Sequence, residues 1–353
     1  MPSHGVLLAL AALAVLAIAH HLFWRWKLHA PSGEDELVRA GTRDGWSLAI
    51  GRRRPRAAPR RPPVLLVHGI AMNRQAFDFG VEHYSVAAHL ARCGFDCFSL
   101  DLRGHGASRK GPTSRWTLDT YLHEDLPAAF AAIREATGED SVLYVGHSQG
   151  AILGMASCAV HPGRIRALVA LAAPVHFDAQ PRVRALVELR HLGLGRHLRL
   201  LARTVAPFSG YWHPAPFDMV IQMRNVDRPI YRRLLANAIE DLQPGVLEQF
   251  AVCLRDDTFR SCDGSVDYRA LFPSCTQPAL FVSAEMDGLA PPAVVEAAFR
   301  RWGGPKRYWS CGRDYGHGDV LVGRNAPEVV FPVIRDFLLE HSEERPASEP
   351  LRA

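Results

Sequence analysis

Apolar residues follow three rhythms along this chain. From Val6 to Trp24 they run almost without a break for 19 residues. Short β-branched runs then recur: Val64 to Val67, Phe95 to Leu100, Val142 to Val145, Ile165 to Ala172, Pro278 to Ser283 and Arg307 to Ser310. Such runs predict buried strands of a parallel sheet. Between them, apolar positions return at helical spacing over Ser85 to Arg92, Thr117 to Thr137 with Gly138 as the stop, and Ala326 to His341. Leu37 to Arg39 and Trp46 to Ile50 flank the turn Arg43-Asp44-Gly45, a hairpin signal. Strands alternating with helices predict an α/β fold, a mostly parallel central sheet with helices on both faces.

One region breaks the alternation. From 176 to 272 no strand of that kind occurs, and Arg182 to Ala206 carries Val183, Leu186, Leu189, Leu192, Leu198, Leu200 and Leu201 among arginines. Tyr211-Trp212-His213-Pro214 and Pro216-Phe217 add large apolar groups. An insertion here lies over the C-terminal ends of the strands, where such sheets bind ligands, and reads as a helical lid. The expected organisation is an N-terminal segment 1–29, a first core part 30–175 opening with a polar linker at 30–36, a lid 176–272, a second core part 273–341 and a disordered tail 342–353.

The first apolar run approaches the ~20 residues that cross a bilayer. Trp24 and Trp26 would sit at the interface, with Arg25 and Lys27 just beyond. A cleaved signal peptide, ending at Ala17-x-Ala19 and sending the chain to the periplasm or outside, is the rival. The first five residues carry no Lys or Arg, which counts against it. With the positive charges after the span, the positive-inside bias puts the catalytic body in the cytoplasm.

Charge adds little. Lys and Arg total 41 against 36 Asp and Glu, a formal +5. Arg52, Arg53, Arg54, Arg56, Arg60 and Arg61 form one local run that could touch anionic lipid or nucleic acid. Pro55, Pro59, Pro62 and Pro63 make a solvated loop the better reading, so no nucleic-acid partner is expected. The seven cysteines contain no CxxC pair and read as small buried residues of a reduced compartment. No metal-ligand spacing and no cofactor motif appears.

The chemistry gathers at Gly146-His147-Ser148-Gln149-Gly150. It follows a predicted strand and precedes the helical run Ala151 to Ala156, the context of a nucleophile elbow. There Ser148 sits on a strained turn, and a side chain at 146 or 150 would collide at the bend. A serine hydroxyl is a weak nucleophile and needs a base, itself oriented by a carboxylate. Asp287, in the turn after the strand ending at Ser283, is placed as the acid. His317, in a glycine-flanked loop between the last strand and last helix, is placed as the base. Asp319 and Glu285 are alternatives for the acid. His147 is expected to face away on the turn, and His68 and His105 to be structural. The developing oxyanion needs two N–H donors, predicted to be Gln149 and Ile70, or its neighbour Ala71.

These pieces together resemble an α/β-hydrolase, and within that superfamily the acid (gastric and lysosomal) lipases and their bacterial relatives. Matching segments are Thr42-Arg43-Asp44-Gly45-Trp46-Ser47-Leu48, His68-Gly69-Ile70, Asp101-Leu102-Arg103-Gly104-His105-Gly106, the elbow, Asp287-Gly288-Leu289-Ala290 and His317-Gly318-Asp319-Val320. The resemblance implies ester hydrolysis through an acyl-enzyme on Ser148, with apolar or lipid esters as substrates. Those lipases are secreted or lysosomal, whereas this chain reads as anchored with its body inside, and its lid does not align with theirs. An acyltransferase on the same triad is an alternative. The polyester synthases carry Cys, and epoxide hydrolases and dehalogenases Asp, where Ser148 stands. A membrane-tethered binding module on an inactive hydrolase fold would be expected to have lost one of the three groups.

Overall fold

The computed structural model describes residues 4–58, 60–108, 111, 115–176, 181–188, 193–211, 213 and 215–342. Its elements run α1 (His4–Lys27), β1 (Glu36–Gly41), β2 (Ser47–Arg53), β3 (Pro63–Val67), α2 (Val86–Arg92), β4 (Asp96–Asp101), α3 (Leu126–Thr137), β5 (Val142–His147), α4 (Gln149–Val160) and β6 (Ile165–Leu171). They continue with α5 (Pro181–Glu188), α6 (Leu198–Val205), α7 (Arg228–Asn237), α8 (Pro244–Asp256), β7 (Ala279–Ser283), α9 (Pro292–Arg301), β8 (Lys306–Ser310) and α10 (Ala326–Glu340).

The eight strands form one sheet in the order β1-β2-β4-β3-β5-β6-β7-β8. β1 and β2 pair antiparallel, as does β2 with β4; every later pairing is parallel. β3, β4, β5 and β7 are buried at every position, as strands covered on both faces must be. Two apolar layers result. One packs α3 and α4 against one face through Tyr144, Leu168 and Phe281; the other packs α2 and α10 against the opposite face through Val145, Val169 and Leu280. Ser85 caps α2 by accepting from the Ala88 N–H at 2.9 Å, and Gly138 (φ 82°) ends α3 in the left-handed region. The helix leading into α3 widens to a π-turn over Tyr121–Asp125, just before Pro127, which has no N–H for the regular ladder.

Three expectations need correction. Residues 30–36 are not a free linker. Ala30 is buried, its N–H donates to Asn237 Oδ1 at 3.2 Å, its carbonyl accepts from Gln75 Nε2 at 3.1 Å, and Glu34 accepts from Arg74 Nη2 at 2.8 Å. The arginine run is not a plain solvated loop either. Arg52 and Arg53 belong to β2 and pair with Asp96 and Asp78, while Arg54 and Arg56 bind Glu36 and Asp35. Each of these four charges meets a carboxylate that the folded chain brings near. Finally, Ser342, assigned to a disordered tail, is buried and accepts from Arg61 Nη1 at 3.0 Å.

Between β6 and β7 the described elements are helices joined by irregular segments, and the isolated bridge Met72 to Ile239 ties them to the loop after β3. Of the apolar positions singled out there, Leu189, Leu192, Trp212 and Pro214 lie outside the described residues.

Candidate active site

β5 ends at His147 and α4 begins at Gln149, leaving Ser148 alone on the turn at φ 53°, ψ −117°. That conformation costs a non-glycine residue of order 1–3 kcal/mol and persists where its surroundings enforce it. The enforcement is visible. Ser148 donates its N–H to the Leu171 carbonyl at 2.8 Å, and its own carbonyl receives Ala151 and Ile152 at 2.9 and 3.1 Å. The flanking glycines are sterically required. A Cβ at Gly146 would lie 2.4 Å from the Gly150 backbone, and one at Gly150 would lie 2.0 Å from the Val67 carbonyl oxygen. Ser148 is buried at the head of α4, toward whose N-terminal N–H groups an anion would be drawn.

The acid and the base come together. His317 Nδ1 lies 2.8 Å from Asp287 Oδ2, both residues buried. Asp287 Oδ1 accepts the N–H groups of Leu289 and Ala290 at 2.8 and 2.7 Å, which fixes the carboxylate plane. A carboxylate accepts, so the His317 proton is on Nδ1 and Nε2 is left as the basic nitrogen. Asp287 follows β7 and His317 follows β8, both at the C-terminal edge of the sheet.

The elbow meets this pair through His147. Its Nε2 lies 2.9 Å from the carbonyl oxygen of His317, and the two rings are 4.8 Å apart at 50°. The residue expected to face away therefore abuts the base. Burial, followed by the neighbouring His317, pushes the His147 pKa down to about 3. The ring is neutral, and its Nε2–H donates to that carbonyl.

The two rival carboxylates serve elsewhere. Asp319 is buried and its Oδ2 accepts the N–H of Gly316 and of Gln222, each at 3.0 Å. It shapes the loop carrying His317 and ties it to the insertion; burial raises its pKa to about 6. Glu285 lies at the surface, 3.6 Å from Arg313. Two further contacts bring the insertion to the site: Gly288 N–H donates to Met219 O at 3.0 Å and Gly318 N–H to Val220 O at 2.8 Å.

The loop after β3 lies against the serine. A Cβ at Gly69 would meet Ser148 Cβ at 3.2 Å. Ile70 and Ala71 follow, Ala71 at φ 55°. His68 holds this loop to the next one: its Nε2 accepts from Leu102 N–H at 3.2 Å and its Nδ1–H donates to Gly69 O at 2.8 Å. Burial lowers its pKa to about 3 and that of His105 to about 4, so both are neutral supports.

The sequence assigned no role to three further buried charges, Asp101, Arg103 and Glu240. Asp101 is fully buried and accepts from Arg74 N, Arg74 Nη1 and Ala107 N at 2.6–2.7 Å, filling the space a Cβ at Gly106 would need. Arg103 is buried between Asp125 (2.7 Å) and Asp44 (2.5 Å), beneath the Trp46 ring at 5.4 Å. Glu240 is buried in the insertion. Its Oε1 accepts from Asn73 Nδ2 at 2.8 Å and Gly106 N at 3.3 Å, and its backbone N–H donates to Ala71 O at 2.8 Å. The doublet of glycines around His105 signalled a tight loop, but nothing near Glu240 in the sequence marks it.

Comparison with known proteins bears on the fold. A family model described as the alpha/beta hydrolase fold matches residues 62–195. Over 212 residues the chain is 29% identical to lipase member K of Homo sapiens, covering 56% of this chain and 51% of that protein. Over 169 residues it is 31% identical to gastric triacylglycerol lipase of Mus musculus, covering 43% and 42%. The chain spans about half the length of the curated relatives it matches. The crystal structure of a hydrolase from Pseudomonas aeruginosa PA01 superposes with TM-score 0.59 at 20% identity, covering 86% of this chain and 98% of that one. The chain has the α/β-hydrolase fold and resembles the acid lipases.

Proposed function

We propose that this chain hydrolyses carboxylic esters through an acyl-enzyme on Ser148. The observation that carries the reading is the 2.8 Å contact between His317 Nδ1 and Asp287 Oδ2, packed against the elbow residue that precedes Ser148. His317 Nε2 takes the Ser148 hydroxyl proton as Oγ attacks the ester carbonyl. The carbonyl π electrons move to oxygen, and the oxyanion is held by the N–H of Gln149 and that of Ile70 or Ala71. Collapse breaks the C–O bond, and the imidazolium gives its proton to the departing alcohol. Water then enters and attacks the acyl carbon, losing a proton to Nε2; collapse breaks the bond to Oγ, and the imidazolium returns that proton to Ser148 as the acid leaves.

The substrates are apolar or lipid esters, a reading supported by the likeness to lipases. Residues 176–272 act as the cap over the site, supported by their contacts with the loops of Asp287 and His317.

The helix α1 is long and apolar enough to cross a membrane, which fits an anchor or a signal sequence. We read it as an uncleaved anchor with the body in the cytoplasm, because Arg25 and Lys27 follow the apolar run and the strap after them is bonded to the body.

Membrane fractions carrying the wild-type chain or Ser148→Ala, assayed on p-nitrophenyl esters of increasing acyl length, test the reading. Hydrolysis that rises with chain length and vanishes in the variant supports it. Equal hydrolysis by both rejects it.

A further inference from the structure

We propose that α6, the segment that follows it to Tyr211 and the base of α1 form one membrane-seated surface, so that a lipid bilayer covers the outer face of the cap. The proposal rests on the reading of α1 as an uncleaved span.

The helix α6 leaves large apolar side chains uncovered. Its arginines reach back to the body, although the Arg199 side chain stays 46% exposed. Arg199 donates from Nη1 to Glu240 Oε2 at 3.3 Å and from its N–H to Asp241 Oδ1 at 2.9 Å; Arg203 Nε donates to Ala236 O at 3.2 Å. Ala202 and Ala206 are buried between them. The large apolar groups turn outward: Leu200, Leu201 and Phe208 are 58, 54 and 56% exposed. Leu201, Val205 and Phe208 follow one another at spacings of four and three, a single stripe.

This stripe is continuous with α1. The Phe208 ring stacks on His20, 5.8 Å between centroids and 13° between planes. His20 precedes Arg25 by five residues, about 7.5 Å along the helix. With Arg25 and Lys27 among the headgroups, Phe208 lies about that far toward the acyl chains. Interfacial helices bury their apolar face about 5–10 Å deep, so the two depths agree.

An aromatic and cationic cluster follows the stripe in the chain. Tyr211 is 73% exposed, and the guanidinium groups of Arg228 and Arg232 stand 5.2 and 4.6 Å from its ring centroid. Tyrosine and arginine are the side chains that favour the headgroup layer. The geometry is also rigid. Asn237, at the end of α7, donates to Leu28 O at 2.9 Å and accepts from Ala30 N, so α1 leaves the body at a fixed angle beside the cap. A bilayer crossed by α1 therefore reaches the stripe on α6. An ester held in the acyl layer then meets the cap directly, without first entering water.

The full-length chain in phosphatidylcholine–phosphatidylglycerol vesicles, with nitroxide-labelled phosphatidylcholine as quencher, tests this. An environment-sensitive fluorescent amino acid replaces Leu201 or Phe208 in separate proteins. Glu139, exposed at the N-terminal edge of the strands, serves as the outside control, and Leu13 within α1 reports the span. Blue-shifted, quenched emission at 201 and 208, with none at 139, is the expected result. Unquenched emission at 201 and 208 overturns the proposal; if it is blue-shifted as well, a second protein copy covers the face instead. The Leu13 label separates the causes. Quenched Leu13 beside unquenched 201 and 208 removes the seat alone, whereas unquenched Leu13 removes the span with it.

Discussion

The Nε2–H of His147 donates to the carbonyl oxygen of His317 over 2.9 Å, so the residue before the nucleophile holds the backbone of the base. A charged ring would donate as well, so it is burial that keeps the ring neutral. Burial sets the His147 pKa at about 3 in the folded chain, against about 6.5 in an unfolded one. The unfolded chain therefore takes the proton first as pH falls. The stability that depends on burying a neutral ring is present in full above about 6.5 and is lost between there and about 3. At pH 5 the loss is about 2 kcal/mol. His147→Asn removes the titration. The stability gap between wild type and variant, from urea unfolding, should shift by about that amount in favour of the variant between pH 7 and pH 5. A gap that does not move would show that the ring is not held neutral.

Asp287 and Asp319 lie close in the fold and do different work. Asp287→Asn disturbs the tautomer of His317 and should lower kcat by about 10⁴. Asp319→Asn retains an oxygen for the Gly316 and Gln222 N–H groups and should lower it far less. Steady-state kcat on one p-nitrophenyl ester checks both. The reverse ranking would exchange their roles.

Ser148 stands at φ 53°, in a backbone conformation that glycine adopts freely. Ser148→Gly should therefore raise stability, by about 1–3 kcal/mol, while abolishing hydrolysis. Thermal unfolding with an activity assay on the same sample measures both. A lower melting temperature would mean that the turn carries no strain.

Glu240 supports the loop after β3 from the cap side. Glu240→Ala removes one of the two acceptors of Asn73 Nδ2, leaving the Asn237 carbonyl at 2.9 Å, and frees Arg199. Misplacement of the oxyanion donors should lower kcat by about 10²-fold, with a smaller change in KM. Glu240→Gln keeps an acceptor oxygen and should recover most of the loss. A KM effect with unchanged kcat would assign Glu240 to substrate binding instead.

The sheet was legible because its strands are buried on both faces and stand as uninterrupted runs, as at Val64–Val67 and Val142–Val145. The elbow was legible because its two glycines answer to backbone contacts of 2.0 and 2.4 Å that no other residue tolerates. The positions after β7 and β8 directed attention to Asp287 and His317. Long-range pairings left no such trace. Glu240 meets Asn73 across 167 positions of chain, and Arg53 meets Asp78 only once β2 is laid in the sheet. His147 was misread because an elbow pattern fixes where the serine points and says nothing of what packs on its neighbour. The outward leucines of α6 were visible as a helical rhythm, yet rhythm alone does not say which face turns to the body.

The account stands on Ser148 as the atom that carries the acyl group, with His317 as its base. Reaction of the full-length chain with a fluorophosphonate, followed by peptide mass mapping, tests this directly. One adduct is expected, on the peptide containing Ser148, and it should be lost in Ser148→Ala and form far more slowly in His317→Ala. An adduct on another serine, or labelling at an unchanged rate in His317→Ala, would contradict it.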